Sequence, residues 1–235
     1  MATTPGPSVP TRLPIRGWLA DCSPQFREEI LALGRPKTFP SGSVLYRAGD
    51  RGQDMYGIVS GVVLVQCRFT HPDAVLLHML RSGEWFGTLD WLPERSRRFT
   101  TIARTDVDLV RVPGDELKAL LQRRPEGFVK IAGNAAYALD VAMQCAADLL
   151  IKGAPARCAA GLLRLSGQRW GSGPEADLPS DIPASQAELA MLCNVSRKTF
   201  SRVIGEFSRA GLVTLGYRSL TVDAPARLRV VADAG

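Results

Sequence analysis

The residues best placed to do chemistry lie in one run, Ser185-Gln186-Ala187-Glu188-Leu189-Ala190-Met191-Leu192-Cys193-Asn194-Val195-Ser196-Arg197-Lys198-Thr199-Phe200-Ser201-Arg202-Val203. Ser185 and Glu188 have the spacing of a capping box, in which hydroxyl and carboxylate each satisfy a backbone N–H at a helix start. Leu189 and Cys193 fall on the inner face of that helix, and Ala190 is small where a second helix would cross. Asn194 tolerates the left-handed conformation that a tight turn needs. Ser196 then caps a second helix, whose Phe200 and Val203 face back inward. Arg197, Lys198, Ser201 and Arg202 are left outside. Arg bonds bidentately to guanine O6 and N7, and Lys reaches the same acceptors. Ser196 and Thr199 suit phosphate contacts. This chemistry fits recognition of double-stranded DNA by a helix that enters the major groove N-terminus first. A generic two-helix corner with a solvated basic face would share the pattern. The next segment argues against it: Leu212–Leu215, Gly216-Tyr217-Arg218 and Ser219–Val222 read as a hairpin, so the unit is a winged helix-turn-helix with Arg218 near the wing tip.

Nothing comparable exists for catalysis or metal binding. The five cysteines, Cys22, Cys67, Cys145, Cys158 and Cys193, are odd in number and contain no C-x-x-C pair. A disulfide framework or zinc ribbon would need closer pairing, so reduced, buried thiols are expected. His71 and His78 are the only histidines. No Ser/His/Asp or Cys/His constellation is readable, and the chain is not expected to be an enzyme.

The elements that must position the basic helix can be read in outline. Ser23-Pro24 starts a helix with Phe26, Ile30, Leu31 and Leu33 on its apolar face, ending at Gly34. From Lys37 to Val112 short β segments follow one another: Lys37–Pro40, Val44–Tyr46, Met55–Ser60, Val62–Phe69, Ala74–Arg81, Thr100–Arg104 and Asp106–Val112. Gly-containing turns separate them, the pattern of a sandwich or barrel. Pro113 opens a helix to about Arg123, and Pro125 opens a long one to about Ile151. On the long helix Ile131, Ala135, Ala138, Ala142, Cys145 and Leu149 form one apolar stripe. Ala132, Ala136, Leu139, Met143, Ala146 and Leu150 form the next, and Lys130, Asn134, Tyr137, Gln144 and Asp148 form a polar one. A helix so broadly apolar must be covered on two sides, and an identical helix is the simplest second cover. Burial within a monomer is the alternative. Lys152-Gly153-Ala154-Pro155 reads as a hinge, Ala156–Trp170 as a further helix and Gly171–Ser180 as a loop.

Composition agrees with a globular DNA partner. Among 235 residues there are 29 Lys+Arg and 23 Asp+Glu, a net charge of +6. From Lys152 onward there are eleven Lys/Arg and seven Asp/Glu, against 18 and 16 in the first 151 residues, so the smaller part carries the larger excess. Met1–Arg16 lacks the apolar core of a signal peptide. No run of about 18 apolar residues suits a membrane span. A cytoplasmic location, with no membrane partner, is expected.

Taken together, the chain resembles the cyclic-AMP receptor protein / fumarate-nitrate regulator (CRP/FNR) family of bacterial transcription factors from about Cys22 to Val231. The resemblance rests on Phe39, Gly42, Leu45, Gly49-Asp50, Tyr56-Gly57-Ile58, Gly61-Val62-Val63 and Gly83-Glu84-Trp85-Phe86-Gly87, and on Val195 through Arg202. It implies an α+β fold: a double-stranded β-helix (jelly-roll) sensor domain, a long dimerisation helix and a C-terminal winged helix-turn-helix. The expected division is a flexible arm at 1–16, the sensor at 17–124, the dimerisation helix at 125–151, the DNA-binding domain at 152–225 and a tail at 226–235. It also implies a homodimer on a two-fold symmetric operator, RNA polymerase as a further partner, and an effector that reorients the DNA-binding domains. Residues expected at the dimer seam are Ile131, Ala135, Leu139, Ala142, Met143, Ala146 and Leu150.

The resemblance has gaps where it would name the effector. Cyclic-nucleotide members carry a Glu for the ribose where Thr88 stands, after Gly87. They carry an Arg-Ser pair for the cyclic phosphate where Arg98-Phe99 is read here, and base-reading hydroxyl residues where Ala142 and Met143 stand. These six residues are the effector-pocket candidates, with the reservation that Arg98 sits in a basic run, Glu94-Arg95-Ser96-Arg97-Arg98, of the kind usually solvated. The iron–sulfur branch's cysteine cluster is absent and no pattern supports haem, so no cofactor is expected. Cyclic AMP is not expected as effector. A constitutive regulator with a ligand-free sensor domain and a cyclic-nucleotide-binding signalling subunit are the competing readings. The recognition helix also has Lys198 where the family often has Glu, which changes the base it can prefer.

Overall fold

The computed structural model describes residues 13–67, 74–91, 95–169, 177–178 and 180–235. Most of the expected N-terminal arm, His71, Trp170 and most of the loop after it lie outside these residues. The chain divides into two compact units, Met1–Leu139 and Asp140–Gly235.

In the first unit, a single 3-10 turn at Gly17–Leu19 precedes helix α1, Pro24–Ala32. Ser23 caps α1 by accepting from Phe26 N–H at 3.3 Å, with Pro24 at its start. Eight strands follow among the described residues: β1 Arg35–Phe39, β2 Val44–Tyr46, β3 Met55–Ser60, β4 Val63–Cys67, β5 Val75–Leu80, β6 Trp85–Phe86, β7 Thr100–Ala103 and β8 Val107–Val112. A short helix, α2, spans Thr88–Trp91. The strands form two antiparallel four-stranded sheets, β1-β8-β3-β6 and β2-β7-β4-β5. This is the expected jelly-roll sensor, with β6 as a strand not anticipated from the sequence.

Alternation along β8 builds two cores from one strand. Val107 and Leu109 join Ile58, Val63, Phe86 and Ala103 in one cluster. Val110 and Val112 join the other, under Phe26 and Ile30 of α1 and Leu117, Leu120 and Leu121 of α3, Gly114–Arg123. Gly57 is obligatory in β3, because a Cβ there would lie 2.7 Å from the Trp85 ring.

Helix α4 runs over Glu126–Leu150 and α5 over Ala154–Leu165, so the break falls on the expected hinge. The helix predicted to reach Trp170 ends sooner. Gly167 takes φ +77°, and the Gln168 and Gly167 N–H groups donate to the carbonyls of Leu163 and Arg164, closing the helix end. The second unit continues with β9 Ser180–Ile182, α6 Gln186–Leu192, α7 Arg197–Arg209, β10 Val213–Gly216, β11 Ser219–Val222 and α8 Pro225–Asp233. The order β10-β11-β9 makes a three-stranded sheet. The expected tail at 226–235 is corrected by α8. Leu228 and Ala232, one turn apart, are buried, and the helix packs on α5.

Candidate functional site: a nucleic-acid interface and a sensor box

The second unit sets its basic helix with short-range hydrogen bonds. Ser185 Oγ accepts from Glu188 N–H at 3.3 Å, and Glu188 Oε2 accepts from Ser185 N–H at 2.7 Å, the full capping box. At the far end of α6, Val195 N–H donates to Ala190 O and Asn194 N–H to Met191 O, with Asn194 at φ +49°. That left-handed residue closes α6 and turns the chain into α7. Ser196 then caps α7, accepting from Thr199 N–H at 3.0 Å.

Helix α7 buries Phe200, Val203, Ile204 and Phe207, and exposes Arg197, Lys198, Ser201 and Arg202. Its sides therefore divide as the sequence suggests. Ser196 is exposed and Thr199 is half-buried, each engaged in the cap of α7's first turn. Arg202 pairs with Glu206 at 2.8 Å on the outer face. The hairpin β10–β11 closes through Tyr217 and Arg218, both exposed, with Arg218 at φ +52°.

In the first unit the buried arginine lies one position before the one expected from the sequence. Arg98 is exposed, its guanidinium 5.9 Å from the half-buried Phe99 ring. Arg97 is the arginine that enters the barrel, with 3% exposure. Its backbone pairs with the Gly49-Asp50 turn, N–H to Asp50 O at 2.9 Å and carbonyl from Gly49 N–H at 2.8 Å, and this sends its side chain inward. The guanidinium donates to Gly87 O at 3.0 Å and Asp54 O at 2.7 Å. It lies 4.4 Å above the Tyr46 ring and 5.9 Å from Tyr56, which stacks on Phe86 at 5.2 Å. Asp90 closes the box, its carboxylate 3.8 Å from Arg97 Nη1 and 3% exposed. Burial raises the Asp90 carboxyl above its ordinary range, with Arg97 opposing. Burial also raises the Tyr46 and Tyr56 phenols.

Of the effector-pocket candidates, only Gly87 belongs to this box. Its φ of +94° and the Asp54 carbonyl, 2.5 Å from where a Cβ would be, require glycine. Thr88 is turned toward α4, where its hydroxyl accepts from Asn134 Nδ2 at 2.6 Å, both residues buried. Ala142 and Met143 are exposed on α4, in the second unit. Arg97, Tyr46, Tyr56 and Asp90 were missed. The run of two arginines leaves their directions open in sequence, and only the pairing with Gly49-Asp50 decides them.

Helix α4 also redistributes the expected seam. Ile131 is fully buried in the first unit's own core, so it is withdrawn as a seam residue. Asn134 and Asp148, read as part of the polar stripe, are buried. Leu139, Ala142, Met143, Ala146 and Leu150 are exposed, and Ala135 is half-buried. Leu139 and Met143 are 61% and 63% exposed, an apolar surface that water should not face unaided.

Among the described residues no group of three or more His, Cys, Asp or Glu is arranged to hold a metal, and no helix is long and apolar enough to cross a membrane. Comparison with known proteins matches residues 36–124 to the cyclic nucleotide-binding domain and residues 156–231 to the Crp-like helix-turn-helix domain. The chain is 30% identical over 211 residues to the cyclic AMP receptor protein of Thermus thermophilus, covering 89% of this chain and 94% of that one. It is 28% identical over 194 residues to the CRP-like cAMP-activated global transcriptional regulator of Mycobacterium tuberculosis, covering 83% and 86%. A crystal structure of a CRP/FNR-family transcriptional regulator from Thermus thermophilus is similar at a TM-score of 0.64 and 26% identity, covering 85% and 98%. FixK2 from Bradyrhizobium japonicum has the same fold at a TM-score of 0.71 and 18% identity, covering 84% and 96%.

Proposed function

This chain belongs to the CRP/FNR family of bacterial transcription regulators, and we propose that it works as a cytoplasmic homodimer binding a two-fold symmetric DNA operator, with an effector other than cyclic AMP. The observation that carries the DNA reading is α7: a Ser-capped helix, buried on one face and presenting Arg197, Lys198, Ser201 and Arg202 on the other. Arg197, Lys198 and Arg202 read base edges from the major groove. Ser196, Thr199, Ser201 and the wing's Arg218 hold phosphates. Two such helices about 34 Å apart, joined through the exposed stripe of α4, fit successive major grooves. RNA polymerase is the partner through which such binding would act on transcription.

The sensor box supports the effector half. One relative, at 28% identity, is named as cAMP-activated, and another, at 30%, as a cyclic AMP receptor. In this chain Arg97 already has two carbonyl acceptors, an aromatic face and the Asp90 carboxylate. A cyclic phosphate entering there meets a buried carboxylate on the same guanidinium, and like charges at that distance repel strongly. Thr88, held by Asn134, offers the ribose nothing comparable to a Glu carboxylate. The same closed box favours a second reading, a constitutive regulator whose sensor domain serves as scaffold.

Duplexes selected from a random pool by the purified protein supply the probe. Selection of a palindromic site, with binding unchanged by cyclic AMP or cyclic GMP and no heat of binding in calorimetry, is expected. A dissociation constant of about 1 μM or tighter for cyclic AMP, coupled to tighter duplex binding, would overturn the effector assignment. Small-molecule extract that alters duplex affinity separates the switched regulator from the constitutive one.

A further inference from the structure

Two thiols meet behind the recognition helix. Cys158 on α5 and Cys193, the last residue before the Asn194 turn, are both fully buried, and each is the strongest influence on the other's thiol. They meet because residue 161 is glycine. A Cβ at Gly161 would lie 2.8 Å from Cys193 Sγ, so the end of α6 rests on the α5 backbone one turn beyond Cys158. Arg157 clamps the same corner. Its Nε donates to Cys193 O at 3.0 Å, its Nη2 to Asn194 O at 3.3 Å and its Nη1 to Ile151 O at 2.6 Å.

We propose that Cys158 and Cys193 form a dithiol/disulfide couple, and that its oxidation by a peroxide turns down DNA binding. Neither the buried-thiol expectation nor the family's fold assigns this pair a role. The neighbouring Cys193 draws the Cys158 thiol below its ordinary value against the opposing effect of burial, with Arg157 and Arg202 adding to the lowering, while Cys158 and burial raise Cys193. Cys158 is therefore the sulfur that carries thiolate character, and the thiolate is the nucleophile. Local opening of the α5–α6 contact admits the peroxide. Cys158 Sγ attacks one peroxide oxygen, the O–O bond breaks, and a sulfenic acid forms as the first water leaves. Cys193 Sγ then attacks Cys158 Sγ, the S–S bond forms and the second water leaves. Two thiols and one hydrogen peroxide thus give one disulfide and two waters. The two electrons pass from the sulfurs to the peroxide.

The consequence follows from position. An S–S bond is about 2.05 Å long, well inside the contact distance of two thiols. Closing it draws Cys193 toward α5, and the Asn194 turn with it. That turn sets the direction of α7, so Arg197 and Lys198 leave the geometry that fits base edges.

Purified full-length protein, reduced or treated with hydrogen peroxide, is digested without reductant and mapped by mass spectrometry. A linked Cys158–Cys193 peptide, lighter by two hydrogen atoms than the separate thiols, is expected, with Cys22, Cys67 and Cys145 as internal controls. Affinity for duplexes selected by the reduced protein should fall about tenfold or more on oxidation, recover with dithiothreitol, and stay peroxide-insensitive in Cys158→Ser and Cys193→Ala. A missing linked peptide, a linked peptide with unchanged affinity, or a Cys158→Ser protein that still loses affinity would each overturn the proposal. The peptide map and titration of the unsubstituted protein decide the matter even if a variant fails to fold. The switch rests on the DNA-binding reading, and the two fail differently. Reduced protein that selects no duplex sinks that reading and the switch with it, whereas intact selection without a linked peptide sinks the couple alone.

Discussion

Arg202 is held in the free protein by Glu206 at 2.8 Å, with both side chains substantially exposed. An exposed pair of this kind contributes about 0–1 kcal/mol, so guanine acceptors can take over the guanidinium at little cost. Arg202→Ala and Arg197→Ala should each weaken duplex binding by about 1–3 kcal/mol and relax specificity at one position. Fluorescence anisotropy on selected duplexes measures this, and unchanged affinity in both would remove α7 from the groove. Lys198→Glu replaces donors with acceptors, so the selected base should move toward cytosine rather than affinity simply falling. Glu84 makes a separate, pH-dependent contribution. It accepts from Arg81 N–H at 2.6 Å and from Tyr137 Oη–H at 3.5 Å. Burial pushes its carboxyl from 4.5 up to about 7. Between those values the folded chain binds a proton that the unfolded chain has released, so stability falls as pH rises through the window and levels off above it. Urea midpoints across this range should show the slope, and Glu84→Gln should flatten it. At this scale the sequence carried the caps and the division of α7 into buried and exposed faces almost completely, because both follow from spacing over a few residues. It did not carry the choice between Arg97 and Arg98, which depends on a backbone pairing with residues 49 and 50, far away in sequence.

Helix α4 shows what periodicity can and cannot say about an element. Its apolar breadth was legible, and so was the need for two covers. Which residues meet which cover was not, because neighbouring stripes of Ala, Leu and Met look alike until one is placed on a core. Ile131 lies in the first unit's core, whereas Leu139, two turns on, is 61% exposed. The two positions should respond oppositely. Ile131→Ala should destabilise the fold by about 2–5 kcal/mol, the usual cost of such a core truncation. Leu139→Arg should leave the thermal midpoint nearly unchanged, yet shift the protein toward monomer in sedimentation and lower operator affinity, since an unpaired charge at a helix seam is costly to bury. A Leu139→Arg protein that stays fully dimeric would refute the seam. The elements that escaped the sequence are the small ones. Strand β6 has two residues and β9 three, too short for alternation to register. Helix α8 buries only Pro225, Leu228 and Ala232. Its apolar stripe exists only against α5.

Over the whole molecule, α4 belongs to both compact units, and its polar residues mark the division. Asn134 bonds within the first unit, and Asp148 within the second. Any message between sensor and DNA-binding helix has this continuous element as a physical route. Its C-terminal anchor is an ion cluster buried at Asp148 and Arg164 and reaching the surface at Asp233. Asp148 Oδ2 accepts from Arg164 Nε at 3.0 Å, Arg169 Nε lies 3.7 Å from Oδ1, and Arg169 Nη1 pairs with Asp233 on α8 at 2.7 Å. A buried pair gains little over apolar residues of equal size, but removing one partner strands the other charge, typically at about 3–5 kcal/mol. Asp148→Ala should therefore destabilise the second unit by a cost of that order. Hydrogen exchange followed by mass spectrometry should show protection falling in α5 and α8 while the two sheets of the first unit keep theirs. Asp148→Leu combined with Arg164→Met removes both buried charges and should recover much of the loss, the sign that the penalty was electrostatic and not a cavity. If the single variant exchanges first in the sensor sheets, or the double variant is no more stable than the single, Asp148 is not the anchor that joins α4 to the DNA-binding unit.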